Sequence, residues 1–293
     1  MTTQAASGIV DSHIHWWDPS NEWMLMATQD EADALRMGDI SPMLAKAYLP
    51  ADYRADIGAH RIEKVVWVMA TGSRAGHLDE VRWVLEIAKG EPLLAAIIGS
   101  VDPDLPTKDR NASLAAQAES PLFRGVRVIG ELDYSSTTSD DYLRMLADGG
   151  FVFDHMGHYQ TMPDAAKLAD RHPDVPWVLE HCGWPLEPDD TEYVGRWREG
   201  ITALAAVPTV NCKLSGLAMA IHSFDLDKQR PFLEHCVESF GVERCMWGSN
   251  FPPDRLSGSF DQAIGMFESF IADLSGSEQA QLLRTNAERV YRI

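Results

Sequence analysis

Apolar residues fall into short, nearly continuous runs separated by longer amphipathic stretches. The runs occupy residues 9–17, 64–70, 93–102, 123–129, 150–157, 176–183, 209–216 and 245–252. Most do not alternate with polar residues, which is the pattern of parallel strands covered on both faces. Between them, residues 77–90, 140–150, 162–173, 190–207, 230–241 and 259–274 carry helical periodicity, and several stop at Gly or before Pro. Eight strands alternating with helices predict an α/β fold, a (β/α)8 TIM barrel. No Pro/Ser/Gly-rich linker divides the chain, so residues 1–293 are read as one domain. Residues 18–60 break the rhythm. They hold Trp23, Met24, Met26, Met37, Met43, Pro42 and Pro50, and are too long for a barrel loop. A lid and a disordered insert are the competing readings; the aromatic and Met content favours a packed, lid-like excursion over the barrel mouth, with a short helix near 51–58.

In such a barrel, chemistry sits at the C-terminal ends of the strands. The first run, "IVDSHIHWW", spaces Asp11, His13 and His15 two apart, which predicts one shared strand face. The other strand ends supply Thr71, Ser73 and Arg74; Asp102; Arg127 and Glu131; Asp154, His155 and His158; Glu180 and His181; Lys213 and Ser215; and Ser249, Asn250 and Asp254. Five of the ten His residues lie in these windows. A His pair on one strand with more His on others suits a divalent metal site; the plainer alternative is a set of structural His in a polar interior. If His181 and Lys213 point inward, strand parity sends Cys182 and Cys212 outward as core residues. Trp16, Trp17, Trp184 and Trp247 flank these positions, and core packing is expected of them before a role in walling a ligand.

Composition narrows the function classes. A formal net charge of -19 opposes nucleic acid and anionic membranes as partners. No apolar stretch reaches the roughly 18 residues of a spanning helix. "MTTQAASG" has neither a basic nor an apolar leader region, so no signal peptide and a cytoplasmic location are expected. The four Cys lack C-x-x-C spacing, so reduced, buried thiols are expected. No phosphate-binding loop or dinucleotide fingerprint is present. The expected partner is a small-molecule substrate, with homo-oligomer formation left open.

Several motifs resemble one family. "VDSHIHWWDP", "FRGVRVI", "PDVPWVLEHCGWP", "NCKLSGL", "RCMWGSNFPPD" and "NAERVYRI" occur in order from about residue 9 to residue 293. Together they resemble the amidohydrolase-related, metal-dependent-hydrolase-like barrels, in the branch holding sugar lactonases and the pyrone-dicarboxylate and muconolactone-type lactonases. The resemblance implies opening of a ring ester by water at the barrel mouth. It also implies one zinc-like divalent ion at His13, His15 and His181, although some members of the branch work without metal. Where metal-using relatives read Gly-Ser-Asp, this chain reads Gly248-Ser249-Asn250. Asn is neither a general base nor a good zinc ligand, so metal-independent catalysis is a second expectation.

A lactone hydrolase needs an electrophilic aid, a group that accepts the water proton, and an acid for the leaving oxygen. His13, His15 and His181 suit the first task. Asp254, Asp11, His15 and His181 are the alternatives for the proton, and Asn250 can orient water or donate to an oxyanion. Arg74 and Arg127 suit a substrate carboxylate. Lys213, inside an apolar strand, suits an anionic or hydroxyl group. His155 and His158 are weaker substrate-binding candidates. The alternatives to lactone hydrolysis are amide hydrolysis or non-oxidative decarboxylation on the same scaffold, and an inactive ligand-binding barrel.

Overall fold

The computed structural model describes residues 8–24, 38–70, 74–128 and 132–293. Met26, Met37, Thr71, Ser73 and Glu131 lie outside the described residues. Eight strands pair in chain order, each parallel to the next: β1 (Ile9–Ile14), β2 (Ile62–Val68), β3 (Leu94–Gly99), β4 (Phe123–Arg127), β5 (Val152–His155), β6 (Trp177–Leu179), β7 (Val210–Leu214) and β8 (Cys245–Trp247). β1 and β8 meet through three links. Ser12 Oγ donates to the Trp247 carbonyl at 2.7 Å, Asn250 N to the His13 carbonyl at 2.9 Å, and His15 N to the Phe251 carbonyl at 2.9 Å. The sheet thus curls into the expected (β/α)8 barrel, with helices between its strands.

The strands are shorter than their apolar runs. β6 and β8 stop after three residues because His181, Cys182, Trp184 and Asn250 have positive φ (54°, 54°, 45° and 55°), which ladder pairing does not accept. Such backbone outliers concentrate where function demands them. One helix, Thr107–Gln117, has no apolar stripe in the sequence. Its buried face is Arg110, Leu114 and Gln117, and Gln117 Nε2 donates to the Ser100 carbonyl at 2.6 Å. A face made of polar side chains with partners escapes a hydrophobic-periodicity reading.

Strand parity separates two cores. Val10, Val66, Val68, Ala96, Ile98, Val152, Val178 and Met246 fill the barrel interior. Their neighbours Ile9, Val65, Trp67, Ile97, Phe153, Trp177 and Cys245 belong to the layer between strands and helices. Cys182, Cys212 and Cys236 also lie in that outer layer, as parity predicts for the first two, and all four Cys are free and buried. The C-terminal helix Asn286–Tyr291 adds Ala287, Val290 and Tyr291 to the interior core. There Tyr291 Oη donates to the Asp154 carboxylate, 3.0 Å from both oxygens.

The excursion folds back on the barrel over the residues described. Tyr48 exchanges backbone hydrogen bonds with Trp17 (3.0 and 2.9 Å). Helix Pro50–Ile57, matching the one expected near 51–58, sends Tyr53 Oη to Asp11 Oδ2 at 2.8 Å. Among the described residues no helix is long and apolar enough to cross a membrane.

Tyr291→Phe removes the hydroxyl partner of a fully buried carboxylate. A loss of about 1–3 kcal/mol is expected, read as a lower urea midpoint at unchanged slope.

Candidate active site

β1 departs from strict alternation, and the site begins there. Asp11 pairs with Val65 and Ile14 with Trp67, so β1 carries one extra residue between these rungs. This bulge separates the three residues expected on one face. Asp11 turns away, accepting from Tyr53 Oη and from the Ser249 amide at 2.8 Å, and so braces the start of the β8 loop. Burial raises its carboxyl to about 6. His13 and His15 stay together, their Nε2 atoms 3.1 Å apart.

Their surroundings define how the rings are used. Lys213 Nζ lies 3.3 Å from His13 Nδ1 and donates to Asp154 Oδ2 at 2.5 Å. An ammonium only donates, so it holds His13 Nδ1 as acceptor and leaves the proton on Nε2. That proton faces His15 Nε2, because His15 Nδ1–H is committed to the Val68 carbonyl at 2.8 Å. His181 Nδ1 lies 3.0 Å from Ser215 Oγ. Burial, with Lys213 and Arg127 nearby, holds His13, His15 and His181 well below the ordinary imidazole range, so all three rings are neutral near pH 7. Gly216, at φ 66°, makes room for His181: a Cβ there would stand 2.3 Å from its Nδ1.

A cavity of about 210 Å³ opens above this cluster. His15, Arg127, His181 and Asn250 form its polar part, with Trp17 and Trp184 among its walls. Arg127 is buried, with Nη1 3.2 Å from Glu180 Oε2 and Nη2 donating to the Met69 carbonyl. Asn250 gives Nδ2 to Asp254 Oδ1 at 2.8 Å, and its buried Oδ1 has no partner. Asp254 stands behind Asn250 and does not line the cavity, so it acts on the mouth only through that side chain. Burial pushes its carboxyl up to about 8, against the lowering pull of Asn250 and the Ala218 amide.

Other expected site residues lie elsewhere. Lys213 is fully buried beneath the cavity and touches His13. His155 points out of the barrel, where its ring meets Phe153 and Trp177 and its Nδ1 lies 3.3 Å from Tyr134 Oη. β5 places Val152 and Asp154 inward, so its neighbour His155 must face the helices. His158 stacks on Trp184 (5.4 Å between centroids) and does not line the cavity. Arg74 is half exposed and paired with Asp102 at 2.8 Å and with Asp104. Trp16 and Trp247 are core residues. Glu180 and Asp154, which partner the cations of the site, were visible in sequence as charges inside apolar strands. Tyr291 carried no such signal.

The donor set suits a divalent ion. Ligand atoms of His13, Glu180 and His181 lie within 4.8 Å of one another. Glu180 Oε1 makes no hydrogen bond and lies 3.5 Å from His13 Nδ1; the rings are neutral, and ligation through His13 Nε2 would require its proton to leave that nitrogen. The 3.1 Å between the His13 and His15 Nε2 atoms is close to the edge of a tetrahedron with Zn–N bonds of about 2.0–2.1 Å.

A family model for amidohydrolases matches residues 10–293. The chain belongs to the amidohydrolase family. An L-fucono-1,5-lactonase of Burkholderia multivorans is 31% identical over 96% of this chain and 95% of its own length. Another, from Burkholderia ambifaria, is 28% identical over 86% of this chain and 82% of its own. A crystal structure of a Burkholderia multivorans amidohydrolase with bound zinc superposes with a TM-score of 0.80 at 28% identity, covering 98% of this chain and all of that one (100%). The protein is therefore a hydrolase of the amidohydrolase superfamily.

Two outcomes test the geometry. Gly216→Ala should displace His181 and lower hydrolytic kcat/KM at least about 100-fold, with a stability loss greater than that of the left-handed backbone alone, about 1–2 kcal/mol, because the clash adds to it. Asp254 binds its proton more tightly folded (about 8) than at the ordinary carboxyl value of 3.8, so its contribution to stability declines as pH rises through about 8. Asp254→Asn should remove that decline. The Tm difference between variant and wild type should shift in the variant's favour from pH 5 to pH 9; a constant difference would contradict the assignment.

Proposed function

We propose that the protein hydrolyses a lactone at the barrel mouth. One observation carries the reading. A guanidinium, two neutral imidazoles and an unpartnered Asn carbonyl share a single cavity, in a chain whose relatives include lactonases. Lactones are activated esters, so a weak base in place of a carboxylate suffices.

In this mechanism the lactone carbonyl oxygen faces Arg127, whose charge stabilises the oxyanion as it forms. Asn250 Oδ1 accepts a hydrogen bond from the attacking water. Asp254 holds the amide in the orientation that turns Oδ1 toward the cavity. The water oxygen adds to the carbonyl carbon, and its proton passes to Nε2 of His181. His181 is favoured over His15 because His15 Nε2 is already engaged by His13, whereas His181 Nε2 has Glu180 Oε2 only at 4.0 Å. The ring C–O bond then breaks, the leaving oxygen takes that proton, and a hydroxy acid departs. A divalent ion held by His13, Glu180 and His181, next to His15, would engage His181 in place of its role as base and would supply carbonyl polarisation and a more acidic water. Lys213 and Asp154 act from below by fixing the His13 ring.

A weakly buffered pH-indicator assay against a lactone panel tests the reading. Acid release well above the spontaneous rate is expected, with Asn250→Ala and His181→Ala each lowering kcat about 10²–10³-fold. Folded protein that opens no lactone would refute it. Metal analysis of the purified protein beside His13→Ala decides whether the cluster holds an ion: a bound ion should be lost in the variant.

A further inference from the structure

We infer that the preferred substrate is a neutral lactone bearing an apolar alkyl or aryl substituent, and not a polyhydroxylated or carboxylated one. This rests on the lactonase reading and specifies its substrate. Ten of the fifteen described residues lining the cavity are apolar. The apolar walls come from separate segments: Ile40, Met43 and Leu44 from the excursion, Met156 after β5, Met219 after β7 and Leu256 after β8. Leu256 is the one large apolar side chain left markedly exposed among the described residues (48%), and it lines this same cavity. Three flexible thioethers give a wall that adapts to varied apolar shapes.

Among the described residues, two polar groups of the walls are already committed, and the buried Trp184 Nε1 is left without a partner. Ser257 Oγ donates to the Ala218 carbonyl at 2.9 Å, and Trp17 Nε1 to the Lys46 carbonyl at 2.8 Å. The rest of the described polar lining is His15, Arg127, His181 and Asn250, which the ester and the water occupy in the proposed reaction. A ring with several hydroxyls could offer one to Trp184 Nε1 and would bury the others against Met and Leu without partners, each at about a tenfold loss or more. A carboxylate fares no better. Arg127, the one cation of the described lining, is paired with Glu180 and has its remaining reach taken by the ester carbonyl in the proposed reaction, and Arg74 lies outside the cavity beside Asp102 and Asp104. The wall therefore selects for apolar surface, while the floor reads only the ester.

The test compares kcat/KM for δ-valerolactone, δ-lactones with progressively longer alkyl chains, dihydrocoumarin, L-fucono-1,5-lactone and a carboxylated δ-lactone. The expected result is a rise of about fourfold per methylene over the first few carbons, with the polyhydroxylated and carboxylated rings below δ-valerolactone. Met219→Gln should reduce the ratio of alkylated to unsubstituted kcat/KM by about tenfold, the scale of one buried apolar group. A preference for the sugar lactone or the carboxylated ring, or a profile indifferent to chain length, overturns this inference and leaves the lactonase reading standing. Silence toward every lactone overturns the lactonase reading and this inference together.

Discussion

The ion pair between Lys213 and Asp154 inside the barrel is the constraint on which the site depends. Both side chains are fully buried. Two charges removed from water are sustained only if their remaining hydrogen-bonding capacity is met. Tyr291 meets part of it from below, donating to the carboxylate, and His13 meets part from above, accepting from the ammonium. The result is a continuous polar column from the C-terminal helix to the His cluster, enclosed by the Val-rich interior core. The His13 ring takes its orientation from that column, and His15 takes its facing partner from His13.

Charge balance above the column follows the same logic. Arg127 and Lys213 are offset by Glu180 and Asp154, so the cluster carries two cations and two anions, all buried. The neighbouring cations and burial keep the imidazoles neutral. Asn250 fits this balance. A carboxylate there would add a buried charge beside Asp254, whose own carboxyl is already raised by burial. The Asn side chain supplies a polar carbonyl at the cavity without that cost.

The sequence and the structure part company where parity fails or where a distant segment intrudes. Asp11, His13 and His15 read as one face, yet a single extra residue in β1 turns Asp11 outward to brace Ser249. His155 sits next to Asp154 in an apolar strand, and alternation alone sends it to the helical layer. Arg74 stands at a strand end, as a site residue should, yet two acidic neighbours on the following loop claim it. Asp254 lies close to the mouth in sequence and reaches it only through Asn250.

What the sequence determined by itself was local and periodic: eight apolar runs with helices between them, His13, His15 and His181 at strand ends, and the outward thiols. These follow from period and position, which neighbouring residues set; that Asn250 stands where a carboxylate is expected follows instead from the family resemblance. Only the tertiary structure decided which charges meet. Lys213 finds Asp154 from 59 residues away, Tyr291 reaches the same carboxylate across 137, and Glu180 joins Arg127 across 53. The apolar wall is likewise assembled from an excursion and several unconnected loops. No local pattern encodes such pairings, because they depend on closure of the barrel and on the radius at which each side chain enters it.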